Sequence, residues 1–297
     1  MSTVARHLLF VLCIVACTRC TAADRPAAVV NGKRAIAVLH DERISESSGL
    51  AISHVNPEAF WTHNDSGNGP QLFLVGLNGK TQAKVTVRNA SSTDWEDICT
   101  FQLNGESWLL IADVGDNQKR RSLRSLYLLR EPVVQKDCTV PQEASIEFTF
   151  PGGPADCEAV AVDVDRGEIL LLTKTLGMAG LHTLPLNTQK RQQNLRATRI
   201  GTLVFPMATG MDVSVDGRQM VVCNYGWGVH VTREQGQTWA GACAGNIRQF
   251  ALPIRPQGEA ICFGIDGRLY LNSEGVGQTL WRLQNPMKPK NLAENRP

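Results

Sequence analysis

A two-strand pattern recurs five times along this chain, and that repetition restricts the fold more than any other feature. Each copy has a polar or acidic start, a short apolar strand, a turn, and a second strand ending in polar residues. The first runs from Ser48-Gly49-Leu50-Ala51-Ile52 to His63-Asn64-Asp65-Ser66-Gly67, the second from Asp94-Trp95-Glu96-Asp97-Ile98 to Ala112-Asp113-Val114-Gly115-Asp116-Asn117. The third runs from Asp156-Cys157-Glu158-Ala159-Val160 to Thr173-Lys174-Thr175, and the fourth from Gly210-Met211-Asp212-Val213-Ser214 to Cys223-Asn224-Tyr225-Gly226. The fifth runs from Gln257-Gly258-Glu259-Ala260-Ile261 to Asn272-Ser273-Glu274-Gly275. Anchored on residues 48, 96, 158, 212 and 259, the copies are spaced 48, 62, 54 and 47 residues apart. Such periods match a propeller blade.

Each copy is followed by further strand-forming sequence, so four strands per unit are available, and long runs with helical apolar periodicity are missing. The expectation is an all-β propeller of five four-stranded blades. A sixth, degenerate blade around residues 118–155 or 185–210 is the alternative. The last unit has Leu280-Trp281-Arg282-Leu283 and little beyond it, so Ala35-Ile36-Ala37-Val38-Leu39 is expected to supply its fourth strand and close the ring. Closure removes the open sheet edges that invite aggregation. Asp216-Gly217 and Asp266-Gly267 predict two-residue hairpin turns. Thr232-Arg233-Glu234-Gln235-Gly236-Gln237-Thr238-Trp239 resembles an Asp-box with Glu234 in place of the aspartate, a turn motif with no expected catalytic role.

The N-terminus reads as an export signal. Arg6 and His7 precede a run from Leu8 to Ala16 that is far shorter than the roughly 20 residues a membrane span needs. The expected division is a signal over residues 1–23 and one propeller domain over 24–297. Ile14-Val15-Ala16-Cys17 also fits a lipoprotein signal ending at Ala16, in which Cys17 would carry lipid. Both imply a secreted or periplasmic protein. Past residue 23, six cysteines remain (Cys99, Cys138, Cys157, Cys223, Cys243 and Cys262), and an even number in an exported chain suggests disulfides. Cys157 and Cys262, in apolar runs, fit packed thiols equally well.

Formal net charge is +2 for the whole chain, which leaves no electrostatic footprint for nucleic acid. The expected partner is a small molecule or protein at the channel mouth, met by a monomer. In a propeller the inner strands all run the same way, so equivalent positions ring one mouth. That ring would hold Ser48, Glu96, Glu158, Asp212 and Glu259, with Asp97 beside Glu96. The ends of the second strands would add Asp65, Asp113, Asp116, Lys174, Asn224 and Glu274. Unpaired, so many carboxylates would repel one another, and a hard cation such as calcium would neutralise them through roughly six to eight oxygen ligands. The expected metal ligands are Glu96, Asp97, Asp113, Asp116, Glu158, Asp212, Glu259 and Glu274, with Glu96, Glu158 and Glu259 sharing one axial cation. Asn64, Asp65, Arg120, Arg121 and Lys174 are expected to touch a ligand. Glu96, Asp113, Lys174 and His63 are the catalytic candidates if the protein is an enzyme; His63 could serve as a base or simply order its loop. No nucleotide-binding glycine loop and no nucleophile elbow is present.

The series Ser48-Gly49-Leu50, His63-Asn64-Asp65-Ser66-Gly67, Asp94-Trp95-Glu96-Asp97-Ile98, Asp113-Val114-Gly115-Asp116-Asn117 and Gln257-Gly258-Glu259-Ala260-Ile261 resembles a group of exported bacterial propellers related to phytase-like and esterase-like domains. The resemblance spans about residues 44–284. The group does not fix a reaction; likeness to its phytase members implies calcium in an acidic mouth, with metal-bound water attacking a phosphoric ester gripped by Lys119, Arg120, Arg121, Arg124 and Lys174. The chain departs from phytases in its blade motifs and in having five rather than six units. A non-catalytic binding propeller therefore leads the expectations, ahead of a calcium-dependent phosphohydrolase and a metal-dependent lactonase or esterase.

Overall fold

The computed structural model describes residues 29–286 except Asn31 and Asn246. The expected export signal and Cys17 lie outside the described residues. The described chain forms five small antiparallel-based sheets arranged as the blades of a propeller. Blade 1 is built from Ser47–Ile52, Ala59–Asn64, Gln71–Gly76 and Thr81–Arg88, from the axis outward. Blade 2 uses Trp95–Leu103, Glu106–Asp113, Arg124–Arg130 and Ala144–Thr149; blade 3 uses Cys157–Asp163, Glu168–Thr173, Met178–Pro185 and Thr198–Val204. Blade 4 uses Gly210–Val213, Gln219–Cys223, Trp227–Thr232 and Ile247–Ala251. Blade 5 uses Ile261–Phe263, Leu269–Leu271, Thr279–Leu283 and, from the other end of the chain, Lys33–Val38. Lys33–Val38 pairs antiparallel with Thr279–Leu283, so the N-terminal strand closes the ring as expected. Each inner strand packs on the next, and the fifth packs on the first.

Among the described residues there is no sixth blade. The segments expected as its alternatives reach outward instead. Cys138–Pro141 adds a parallel fifth strand to blade 1, and Gln192–Arg196 does the same for blade 2. Blades 2 and 3 thus each lend a strap to the blade before, which covers an edge that would otherwise be open.

The core is divided by the same geometry. Five buried apolar clusters occupy the five blade–blade interfaces. Neighbouring residues of one strand serve different interfaces: Leu109 and Ile111 pack toward blade 1, Leu110 and Ala112 toward blade 3. A blade sandwiched between two others needs apolar side chains on both faces, which explains the unbroken apolar runs.

The hairpin turns are longer than the two-residue loops expected. Gly217 donates its N–H to Ser214 at 2.7 Å and Gly267 to Gly264 at 2.8 Å, closing four-residue turns with the glycines at φ of 64° and 69°. The Asp-box-like segment is structural: Thr238 caps the short helix Trp239–Cys243, and Trp239 Nε1 donates to Asp163 Oδ2 at 2.7 Å. The disulfide expectation is corrected. All six cysteines among the described residues are free, and five of them are buried. Most of them pack into different interfaces, where they act as small apolar side chains. Among the described residues no helix is long and apolar enough to cross a membrane.

Candidate functional site

Inner strands start, and second strands end, at one side of the ring, so loops from every blade meet at a single mouth. The register decides which positions are equivalent. Leu50, Ile98, Val160, Met211 and Ile261 pair with the second strands of their own blades. Two residues upstream of these stand Ser48, Glu96, Glu158, Thr209 and Glu259. Blade 4 therefore presents the Thr209 hydroxyl at this level, donating to Gly258 O at 3.1 Å. Asp212 lies three residues deeper than the ring expected for it.

Two expected metal ligands turn out to stitch the ring together. Asp97 accepts N–H groups from Ile98 (2.9 Å), Val160 (2.8 Å) and Met211 (3.3 Å), joining blades 2, 3 and 4. Asp212 accepts from Val213 (2.8 Å) and Phe263 (2.8 Å), joining blades 4 and 5. Burial pushes Asp97 well up and Asp212 up to about 7, against the pull of those N–H donors. Their oxygens are already occupied by backbone.

Asp113 and Asp116 shape the loop after the second strand of blade 2. Asp113 accepts from Asp94 N at 3.1 Å and Arg121 Nη2 at 2.7 Å; Asp116 accepts from Arg124 Nη2 at 2.6 Å and from the Arg120 and Arg121 amides. The guanidinium groups of Arg121 and Arg124 thus sit where a cation was expected in Asp113-Val114-Gly115-Asp116-Asn117. Arg121 and Arg124 are engaged in these ion pairs, whereas Lys119 and Arg120 are exposed.

On the side of blades 3 and 4, the mouth supplies its own cation. Lys174 Nζ donates to both Glu158 oxygens at 2.5 and 2.6 Å and to the Tyr225 hydroxyl at 3.0 Å. Burial works against the ammonium, but Glu158 outweighs it and raises Lys174. Burial pushes Glu158 up while Lys174 opposes it, so the two titrate as one unit. Glu259, raised by burial, is supported by Lys174 and by the Gln257 and Tyr225 side chains.

On the side of blades 1 and 2 the compensation is weaker: Lys174 and Arg121 pull on Glu96 and Asp94 from a distance, but among the described residues no lysine or arginine pairs directly with either carboxylate. One oxygen from each of Asp65, Asp94 and Glu96 lies within 4.8 Å of the other two. Glu96 is only 5% exposed, yet among the described residues its carboxylate forms neither a hydrogen bond nor an ion pair. Burial, then Glu158, Asp65 and Asp94, hold Glu96 well above the ordinary range. Burial and Asp65 bring Asp94 to about 6, and burial raises Asp65 as well. Glu274, at the neighbouring edge, is raised to about 7 by burial, Glu259 and Asp65. Gly115 shapes this corner, since a Cβ there would lie 2.1 Å from Glu96 Oε1 and 2.5 Å from Asp94 Oδ2.

The remaining expected residues fall below or beside this corner. His63 is fully buried; its Nδ1 lies 3.0 Å from Asn64 O, its Nε2 has no partner, and burial lowers it to about 4. It is a neutral imidazole packed edge-on to Trp95. Asn64 accepts from the Ser45 and Glu46 amides, both at 3.1 Å, and so fixes the loop next to Asp65. Asp94 was missed as a site residue. Its signal was present: Trp95 turns fully inward, so Asp94 and Glu96 share the opposite side of the extended strand.

No protein-family model matches the chain, and no curated protein is similar enough to count as a relative.

Proposed function

We propose that this protein is an exported binding propeller whose mouth holds a hard divalent cation, calcium by preference, on Asp65, Asp94 and Glu96, with a ligand or partner protein docking over it. The observation that carries this reading is Glu96, nine-tenths buried, charged by nature and without a partner, aimed at two further carboxylates. Buried charge without a counterion is expensive, and a cation is the remedy that matches an all-oxygen donor set. Oxygens up to 4.8 Å apart suit a centre with bonds of about 2.4 Å. Bound there, the cation would neutralise the corner and offer open coordination positions to an oxygen of the ligand. Glu274 is the fourth carboxylate near enough to feel the same charge. Glu158 and Glu259, already served by Lys174, contribute to the field and leave coordination to the other corner.

A metal-dependent hydrolase is the second reading. The loops at the mouth end carry exposed Leu123, Leu176, Ile254 and Val276, an apolar surround that suits an ester or lactone better than a phosphate. The test of the main proposal is a calcium titration followed by thermal unfolding and calorimetry. Binding to the folded state raises the midpoint with calcium. Glu96→Gln and Asp94→Asn should abolish that rise. Absence of both a shift and a binding heat in the unmodified protein would sink the proposal.

A further inference from the structure

Away from the mouth's axis, a groove of about 520 Å³ opens between blades 2 and 3. Its floor comes from alternate residues of one strand, Met178, Gly180 and His182, and its roof from the linker Phe150-Pro151-Gly152-Gly153-Pro154-Ala155. Gly180 creates the space: a Cβ there would lie 2.8 Å from His182 Cε1 and 3.3 Å from Thr173 Oγ1. Phe150 meets the His182 ring edge-on at 5.0 Å, and Met178 is 62% exposed beside them. None of the lining residues is acidic, in contrast to the mouth.

Two polar groups in this apolar surround have no partner. Arg199 lines the groove and forms no ion pair or hydrogen bond among the described residues. Thr175 Oγ1, at the other end, is buried and unpartnered. His182 adds no competing charge, because its Nδ1 lies 3.1 Å from Gly180 O and burial lowers its pKa. Arg199 pairs across the strands with His182, four residues along from Met178, so the groove runs about 13 Å from its cationic end to its apolar end.

We propose that this groove binds a medium-chain apolar monocarboxylate, with the carboxylate on Arg199 and the hydrocarbon along Met178, Phe150 and Pro154. Thr175 offers a hydrogen bond to any polar group at the far end. An unpaired guanidinium at one end of an apolar trough is complementary to an amphiphilic anion, since the charge-assisted bond fixes orientation and the trough removes hydrocarbon from water.

The probe is octanoate, followed by calorimetry or ligand-observed NMR on the whole protein, with n-octanol as the uncharged counterpart. Octanoate should bind the wild type at least about tenfold more tightly than it binds Arg199→Ala, the loss of one hydrogen bond to a charged group. Octanol should not distinguish the two proteins, and acetate, lacking the chain, should bind neither. Arg199 is exposed, so the variant is expected to keep the wild-type unfolding midpoint. Glu96→Gln should leave octanoate binding unchanged, which separates this groove from the mouth. Equal octanoate affinity in wild type and Arg199→Ala, or no binding to wild type, overturns the proposal.

Discussion

The two sides of the mouth answer the same electrostatic problem in different ways. Between blades 3 and 4, Glu158 and Glu259 are buried around Lys174, which sits 2.5 Å from the nearer Glu158 oxygen. Between blades 1 and 2, one oxygen from each of Asp65, Asp94 and Glu96 lies within 4.8 Å of the others, and no lysine or arginine forms an ion pair with them among the described residues. The difference teaches where to look for function. A buried charge satisfied within the chain becomes costly only when its partner is removed, whereas one left unsatisfied marks a candidate site for something outside the chain. Repeat symmetry makes the contrast sharp, because Glu96 and Glu158 occupy the same position of adjacent blades.

The largest expected effect comes from breaking the compensated side. Lys174→Met leaves Glu158 buried without its counterion, and removing one partner of such a pair costs about 3–5 kcal/mol. Urea denaturation reads this as a lower midpoint at an unchanged slope. The variant should also gain more stability from calcium than the wild type, since Glu158 and Glu259 then join the uncompensated set. A loss no greater than that of an ordinary surface substitution would mean the two sides do not differ as described.

Glu96→Gln acts with the opposite sign. Without divalent cation, and at a pH high enough to ionise Glu96, it removes a repelling, desolvated charge and should stabilise the protein by about 1 kcal/mol; at lower pH, where the raised carboxyl is neutral, the substitution should have almost no effect. With saturating calcium it should be less stable than wild type. If Glu96→Gln and Lys174→Met shift stability in the same direction without calcium, the contrast is lost.

The pH dependence sharpens the same point. Asp94 titrates near 6 and Glu274 near 7 in the folded protein, both above their ordinary values. The folded state therefore binds more protons than the unfolded state across this range, and stability falls as pH rises. The contribution is complete below about pH 4 and is lost as pH climbs through 6 to 7. Calcium competes with those protons, so the Tm decline between pH 5 and 7.5 should flatten in its presence. Asp212, half-buried with its oxygens taken by the Val213 and Phe263 amides, contributes a residual decline that calcium leaves in place.

Much of this architecture can be read from the chain, and the unreadable part has a physical reason. Blade number and closure follow from the repeat at residues 48, 96, 158, 212 and 259 and from a strand surplus at one end with a deficit at the other. That acids gather at one mouth follows from strand direction. Which acids are partnered does not, because it depends on side-chain reach. Lys174 crosses to Glu158 only once the second strand of blade 3 lies beside the first. Asp212 illustrates another limit. Blade 4 has Thr209 where its neighbours carry glutamates, and a reading that seeks an acid slides three residues to find one. Asp97 was assigned to metal because a carboxylate gives no sequence sign of accepting three amides from three blades.

The smallest expected effect concerns Arg120, and it separates a cation-binding mouth from a phosphate-gripping one. Arg120 is exposed on the loop that also carries Gly115, and its side chain forms no ion pair or hydrogen bond among the described residues. If the mouth's task is to hold a cation, this guanidinium only weakens the local negative field. Arg120→Ala should then leave the unfolding midpoint within about 0.5 kcal/mol of wild type. Calcium affinity should rise slightly, by less than about twofold at an ionic strength of about 0.15 M, where the Debye length is about 8 Å. Lower salt should widen the gap, since screening of an exposed charge is what limits it. A phosphate-gripping mouth predicts the reverse order of importance. There Arg120→Ala would scarcely alter calcium binding yet would abolish binding of inorganic phosphate to the calcium-loaded protein, measured by calorimetry. Phosphate binding that vanishes with Arg120 would move the reading toward the phosphoric-ester hydrolase, with Arg120 as a substrate contact. Phosphate indifference together with the small rise in calcium affinity keeps the uncompensated corner as a cation site and leaves the arginine as its bystander.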